Sequence, residues 1–124
     1  MRTIALIAHD GKKADMVTFL RNNLTLFKRA DIALVATGTT GGHVEQAGLT
    51  VQKVLSGPRG GDAQIAARLA VGEIDAVFFF RDPLDKHPHE PDIAMLMRLC
   101  DVHNIPLATN PATAELVFAG LLAE

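Results

Sequence analysis

Short apolar runs alternate along the chain with longer stretches in which apolar residues recur at spacings of three and four. The runs are Thr3 to Ala8, Asp31 to Thr37, Val51 to Leu55, Ala76 to Phe80 and Pro106 to Thr109. Most are apolar at consecutive positions rather than alternate ones, which is the pattern of a strand buried on both faces of a parallel sheet. Val51 to Leu55 carries the weakest strand signal. Helices are predicted to begin near Lys12, Thr40, Asp62, Asp92 and Ala112, on pairs such as Ile65 with Leu69 and Leu96 with Cys100. A β-α order repeated in this way, without internal repeat, low-complexity tract or linker, predicts one α/β domain over 1–124, a wound parallel sheet with helices on both faces.

In an open parallel sheet, ligands bind beyond the carboxyl ends of the strands, where helix N-termini offer unpaired N–H groups to an anion. The segments that follow the five runs are His9-Asp10-Gly11-Lys12-Lys13, Gly38-Thr39-Thr40-Gly41-Gly42, Ser56-Gly57-Pro58-Arg59-Gly60-Gly61-Asp62, Arg81-Asp82-Pro83 and Asn110-Pro111. Polar residues and glycines therefore collect at one edge. Thr37 to Gly42 and Ser56 to Asp62 join hydroxyls and glycines to a helix start, a combination able to cradle a phosphate, and Lys13 can add a point charge. Neither stretch has the spacing of the dinucleotide or nucleotide glycine loops, so the phosphate belongs to something smaller than a nucleotide.

The same residues carry plainer readings. Thr39, Thr40, Asp62 and Asp92 are helix-capping types placed where helices begin. His9 and His89 can be loop histidines, and His87-Pro88-His89-Glu90-Pro91-Asp92 can be a turn punctuated by proline. His87, His89 and Asp92 also supply imidazole and carboxylate ligand types for a metal. A phosphoacceptor receiver domain would want an acidic residue ending the third strand and a lysine ending the fifth, where Leu55-Ser56 and Thr109-Asn110 stand instead.

Composition narrows the field. A charge of -2 and the absence of Trp and Tyr argue against nucleic acid as a partner, since neither a basic footprint nor stacking faces are supplied. The N-terminal apolar run is too short for a membrane span and runs straight into His9, Asp10 and two lysines, so neither a membrane segment nor a signal peptide is expected. The single cysteine, Cys100, excludes an intrachain disulfide and fits a reducing, cytoplasmic home, where it is expected in the core.

Ala8-His9-Asp10, Ala36-Thr37-Gly38-Thr39-Thr40-Gly41, Leu55-Ser56-Gly57-Pro58, Gly60-Gly61-Asp62, Asp82-Pro83-Leu84, Pro88-His89, Pro91-Asp92 and Asn104-Ile105-Pro106 occur in this order from about Ile4 to about Ala114. Taken as a set, they resemble the methylglyoxal synthase family. The resemblance implies a three-layer α/β/α sandwich with a five-stranded parallel sheet, a homohexamer, dihydroxyacetone phosphate as substrate, and no metal or organic cofactor. Inorganic phosphate would be a product and an inhibitor.

By the same resemblance, Asp62 matches the catalytic base, His89 the partner that moves protons at the substrate oxygens, and Asp92 the carboxylate that helps set that histidine. Asp10 and Asp82 would be supporting acids. His9, Lys13, Thr37, Gly38, Thr39, Thr40, Ser56 and Gly57, with His89, match the substrate-binding set. The residue types suit the chemistry: removing a carbon-bound proton beside a carbonyl needs a positioned, partly desolvated carboxylate, and the enediolate oxygens need a donor such as a neutral imidazole. Gly60 and Gly61 are expected to let substrate approach Asp62. Arg81 departs from the pattern, standing where an aromatic is expected before Asp82-Pro83. Longer members also continue past the equivalent of Glu124 toward neighbouring subunits, with structure that bears on phosphate inhibition. Two other classes compete: a regulatory domain like the allosteric domain of carbamoyl phosphate synthetase, and a metal-dependent phosphoesterase built on His87, His89 and Asp92.

Overall fold

The structure is a computed structural model and describes residues 1–123. Five parallel strands form one sheet in the order β3-β2-β1-β4-β5, with β1 Arg2–Ala8, β2 Ile32–Ala36, β3 Gln52–Lys53, β4 Ala76–Phe80 and β5 Leu107–Ala108. Ile4 of β1 stands opposite Leu34 of β2 on one side and Ala76 of β4 on the other. The helices are α1 Lys13–Asn22, α2 Leu24–Phe27, α3 Gly38–Gln46, α4 Gly61–Ala70, α5 Glu90–Val102 and α6 Pro111–Ala123. Short 3-10 turns at Asp10–Lys12 and Gly57–Arg59 lead into α1 and α4.

Strand alternation divides the core in two. Ile4, Leu6, Phe78 and Phe80 face a layer made by Phe19 of α1, Phe27 of α2, Val44 of α3 and Phe118 of α6. Ala5, Ile7, Val77 and Phe79 face Ile65 and Leu69 of α4 and Leu96 and Cys100 of α5. The result is a three-layer sandwich, and it explains why all five residues of β4 are buried and read as one unbroken apolar run. Because α1 and α3 leave toward one face and α4 and α5 toward the other, the loops after β1 and β4 diverge and open a crevice at their carboxyl ends.

The structure corrects several boundaries. Helices start one or two residues earlier than predicted for α3, α4, α5 and α6, and the residues at their N-caps are Thr37, Gly60 and His89 for α3, α4 and α5, none with a side-chain capping bond. Thr39, Thr40, Asp62 and Asp92 thus lie inside first turns and cap nothing. For α4 the cause is Gly60 at φ +106, which turns the chain so that the Gly61 N–H reaches the Ser56 carbonyl at 2.9 Å. The edge strands shrink to two residues each, and α2 was not foreseen. Cys100 is buried in the core, as expected. Among the described residues no helix is long and apolar enough to cross a membrane.

Candidate active site

A cavity of about 260 Å³ opens at the carboxyl ends of β1, β2 and β3, bordered by the loop before α5. It is lined by His9, Asp10, Lys13, Thr37, Thr39, Ser56, Gly57, Asp62 and His89 from the predicted set, joined by Pro58, Asp85, Lys86, His87 and Pro88.

The end of β1 supplies the first group. His9 is buried, and its Nδ1 accepts the Asp82 backbone N–H at 2.9 Å. That acceptor role puts the ring proton on Nε2, which is buried without a partner in the protein. Burial first, then the charges of His87, His89 and Arg81, hold the His9 imidazole down at about 4. The Lys13 ammonium donates to the Ala8 carbonyl at 2.8 Å and to Asp10 Oδ1 at 2.9 Å, so two of its three donors are spent on fixing it in place. The Asp10 carboxylate is almost wholly exposed and is held below the usual range by that Lys13 bond.

The loops after β2 and β3 are tied to each other and to β1. Thr40 Oγ1 accepts the Ala8 N–H at 3.1 Å, so this hydroxyl finishes the strand end and does not line the cavity. A Cβ on Gly38 would press on the Ser56 backbone at 3.2 Å, and the Gly38 N–H bonds the Leu55 carbonyl at 3.3 Å. Thr37 and Thr39 remain on the cavity wall, beside first-turn N–H groups of α3 that have no helical partner. The two glycines expected to admit substrate do other work. Gly60 supplies the turn, and a Cβ on Gly61 would collide with the Leu55 carbonyl. Gly57 is the close-approach residue: a Cβ there would stand 2.7 Å from His89 Nε2 and 3.2 Å from Asp62 Oδ1.

At the floor lies Asp62, 0% exposed, with neither carboxylate oxygen hydrogen-bonded within the protein. His89 Nε2 is 3.6 Å from Asp62 Oδ2, close enough for charge interaction and slightly too long for a hydrogen bond. Burial pushes the Asp62 carboxyl above its ordinary value; His89 opposes this, Asp92 adds to it, and His87 opposes it. Asp92 therefore reaches the pair through its charge. It does not bond the His89 ring, whose Nδ1 is buried without a protein partner, and it does not line the cavity. Asp82 also stands outside the cavity, with its carboxylate over Gly11 and accepting the Leu84 N–H at 3.1 Å, while its own N–H orients His9.

A base needs a desolvated carboxylate and a developing oxyanion needs preorganised donors; this cavity presents Asp62 for the first and imidazoles, hydroxyls, Lys13 and helix N–H groups for the second. Among the described residues no three His, Cys, Asp or Glu side chains converge so as to hold a metal ion, and His87, His89 and Asp92 do not do so. His87 was weighed on the sequence only as a ligand or loop residue. Its contact with His9 had no sequence signal beyond its place two residues before His89.

Against known proteins, the chain matches the family model described as MGS-like domain over residues 15–109. It is 59% identical over 121 residues to a protein of Ralstonia nicotianae named Methylglyoxal synthase, covering 97% of this chain and 88% of that one. A protein of the same name from Carboxydothermus hydrogenoformans is 55% identical over 122 residues, covering 98% of this chain and 99% of its own length. The crystal structure of methylglyoxal synthase from Elizabethkingia anophelis NUHP1 superposes with a TM-score of 0.85 at 43% identity, covering 94% of this chain and 76% of that chain.

Proposed function

The chain belongs to the methylglyoxal synthase family, and from that premise we propose that it converts dihydroxyacetone phosphate to methylglyoxal and inorganic phosphate, as a carbon-oxygen lyase. Asp62 takes a proton from the hydroxymethyl carbon, and the electron pair forms the enediolate while the carbonyl oxygen takes up the charge. His89 and the neutral His9 donate to the two enediolate oxygens. The enediolate then collapses, the bond from carbon to the phosphate oxygen breaks, and phosphate leaves with that electron pair. The enol of methylglyoxal regains a proton at its terminal methylene to become the methyl group.

Which way the intermediate goes depends on the phosphate ester bond. Held out of the enediolate plane, it overlaps the π system and phosphate is expelled; held in plane, the intermediate isomerises to an aldehyde phosphate instead. Thr37, Thr39, Ser56, Gly57, Lys13 and the first turn of α3 hold the phosphate in the eliminating geometry, and Gly38 and Thr40 shape that cradle from behind. Asp10 steadies Lys13, and Asp92 tunes the charge on Asp62. No metal or organic cofactor enters any of these steps.

The observation that carries this reading is the fully buried, unpartnered carboxylate of Asp62 beside His89 on the floor of a donor-lined cavity. The test is a stopped assay of purified protein with dihydroxyacetone phosphate, with and without chelator, scoring methylglyoxal and phosphate separately. Equal yields of both, insensitive to chelator, support the lyase. Glyceraldehyde 3-phosphate as the sole product, or tight phosphate binding without turnover, refutes it, the latter in favour of a regulatory domain. We further propose a cytoplasmic homohexamer, inhibited by phosphate, and light scattering on a sizing column checks the assembly.

A further inference from the structure

His87 has no part in the chemistry above, yet it lies flat on the ring of His9, with centroids 3.6 Å apart and planes 29° from parallel. Phe79 meets the same ring edge-on at 5.2 Å, and the Asp82 N–H pins its Nδ1. His9 is thus held on a face, on an edge and at one nitrogen, and only Nε2–H is left for a ligand. We propose that His87 is a positioning residue for His9: stacked over it, His87 keeps that imidazole desolvated and in one orientation, so that its Nε2–H serves as a second neutral donor to the substrate.

The stack favours the uncharged ring for two reasons. A proton on Nδ1 would have to displace the Asp82 N–H. The resulting cation would also stand against His87 and His89 from the loop before α5 and against Arg81 at the end of β4, with Glu90 of α5 as the countercharge. Asp10, next to His9 in sequence, also interacts with the His9 and His87 rings through its charge, with its carboxylate bonded to Lys13 at 2.9 Å. His87 in turn has a buried Nε2 without a protein partner, so nothing else in the protein claims that nitrogen. This inference rests on the proposed reaction only for what the donor acts on; the state of the His9 ring can be measured without substrate.

The experiment compares wild type, His87→Ala and His87→Phe. The phenyl ring preserves the stack and cannot ionise. Ring proton signals of His9 are followed by NMR from pH 8 to pH 4 in the free protein, and kcat/KM for dihydroxyacetone phosphate is followed over the same range. In His87→Ala, His9 is expected to titrate about one pH unit higher, toward its ordinary value. The acid limb of the rate profile should rise with it, through kcat more than KM. His87→Phe keeps the burial and loses the charge of His87, so His9 should titrate between wild type and His87→Ala, with the acid limb following it. An unchanged His9 titration in His87→Ala, or His87→Phe behaving like His87→Ala, overturns the proposal. Failure of wild type to turn over the substrate would sink the proposed reaction, while the NMR titration would still decide the role of His87.

Discussion

Replacing Asp62 with Asn should remove activity and make the protein more stable at the same time. The carboxylate is 0% exposed and both oxygens lack a partner in the protein, so its ionised form is poorly accommodated. Burial, the largest influence on it, raises its pKa from the ordinary 3.8. A carboxyl with a raised folded-state pKa binds more protons folded than unfolded, so ionised Asp62 costs stability above that range and the cost fades as pH falls through the folded-state pKa and toward 3.8. Asn keeps the shape and drops the charge. The expected gain at pH 7 is about 1–3 kcal/mol, the range for relieving an unsatisfied buried polar or charged group. At roughly 4 °C per kcal/mol for a domain of this size, the shift is easily seen by calorimetry or by urea midpoints. Losing a general base should lower kcat by about 10²–10⁴, or roughly 3–5 kcal/mol in the barrier. A variant less stable than wild type at pH 7, an advantage that does not shrink in acid, or a kcat within tenfold of wild type would each refute the reasoning.

Gly61→Ala should be strongly destabilising, by about 3 kcal/mol or more, because the new methyl meets the backbone carbonyl of Leu55 rather than a movable side chain; urea unfolding measures it. Thr40→Val removes the acceptor of the Ala8 N–H, leaving a buried donor unpaired at a cost of about 1–3 kcal/mol, and hydrogen exchange at Ala8 should quicken with it. His9, lowered from 6.5 to about 4, binds fewer protons folded than unfolded between those values, so stability should fall as pH drops across that window, by up to about 3 kcal/mol. Measuring urea midpoints in the Asp62→Asn background removes the opposing trend of the carboxyl, and a His9→Gln double variant should then lose the slope. A slope that persists in the double variant would assign it to other groups.

The central strands and the layer scheme were legible because β1, β2 and β4 are covered on both faces and must be apolar throughout, as Ile4 to Ala8 and Ala76 to Phe80 are. The edges were not: β3 is Gln52–Lys53, both exposed, and strand status there depends on pairing with Val35 and Ala36, which no local pattern records. The helix α2 is a single turn seated by the stacking of Phe27 on Phe118, 91 positions away in sequence by the difference of their numbers. At the site, residue types and strand ends pointed to Asp62, His9, Lys13, Thr37 and Ser56, the family resemblance added His89, and all six line one cavity. They did not reveal that Gly61 is small for the sake of Leu55 while Gly57 faces the acid and the imidazole, because both facts are distances across loops. Thr40 was grouped with the cradle, and its hydroxyl is instead occupied by the backbone of β1.

Both margins of the sheet end in two-residue strands, β3 and β5, and β3 presents a lysine. Margins that short offer a neighbouring chain almost no ladder of free N–H and C=O groups to extend, and charge at one of them discourages docking further. Self-association of this protein is thereby channelled onto its helical faces and loops. Copies can meet side by side while each sheet stays closed to its neighbours, and the route by which exposed strands seed fibres is shut at both borders.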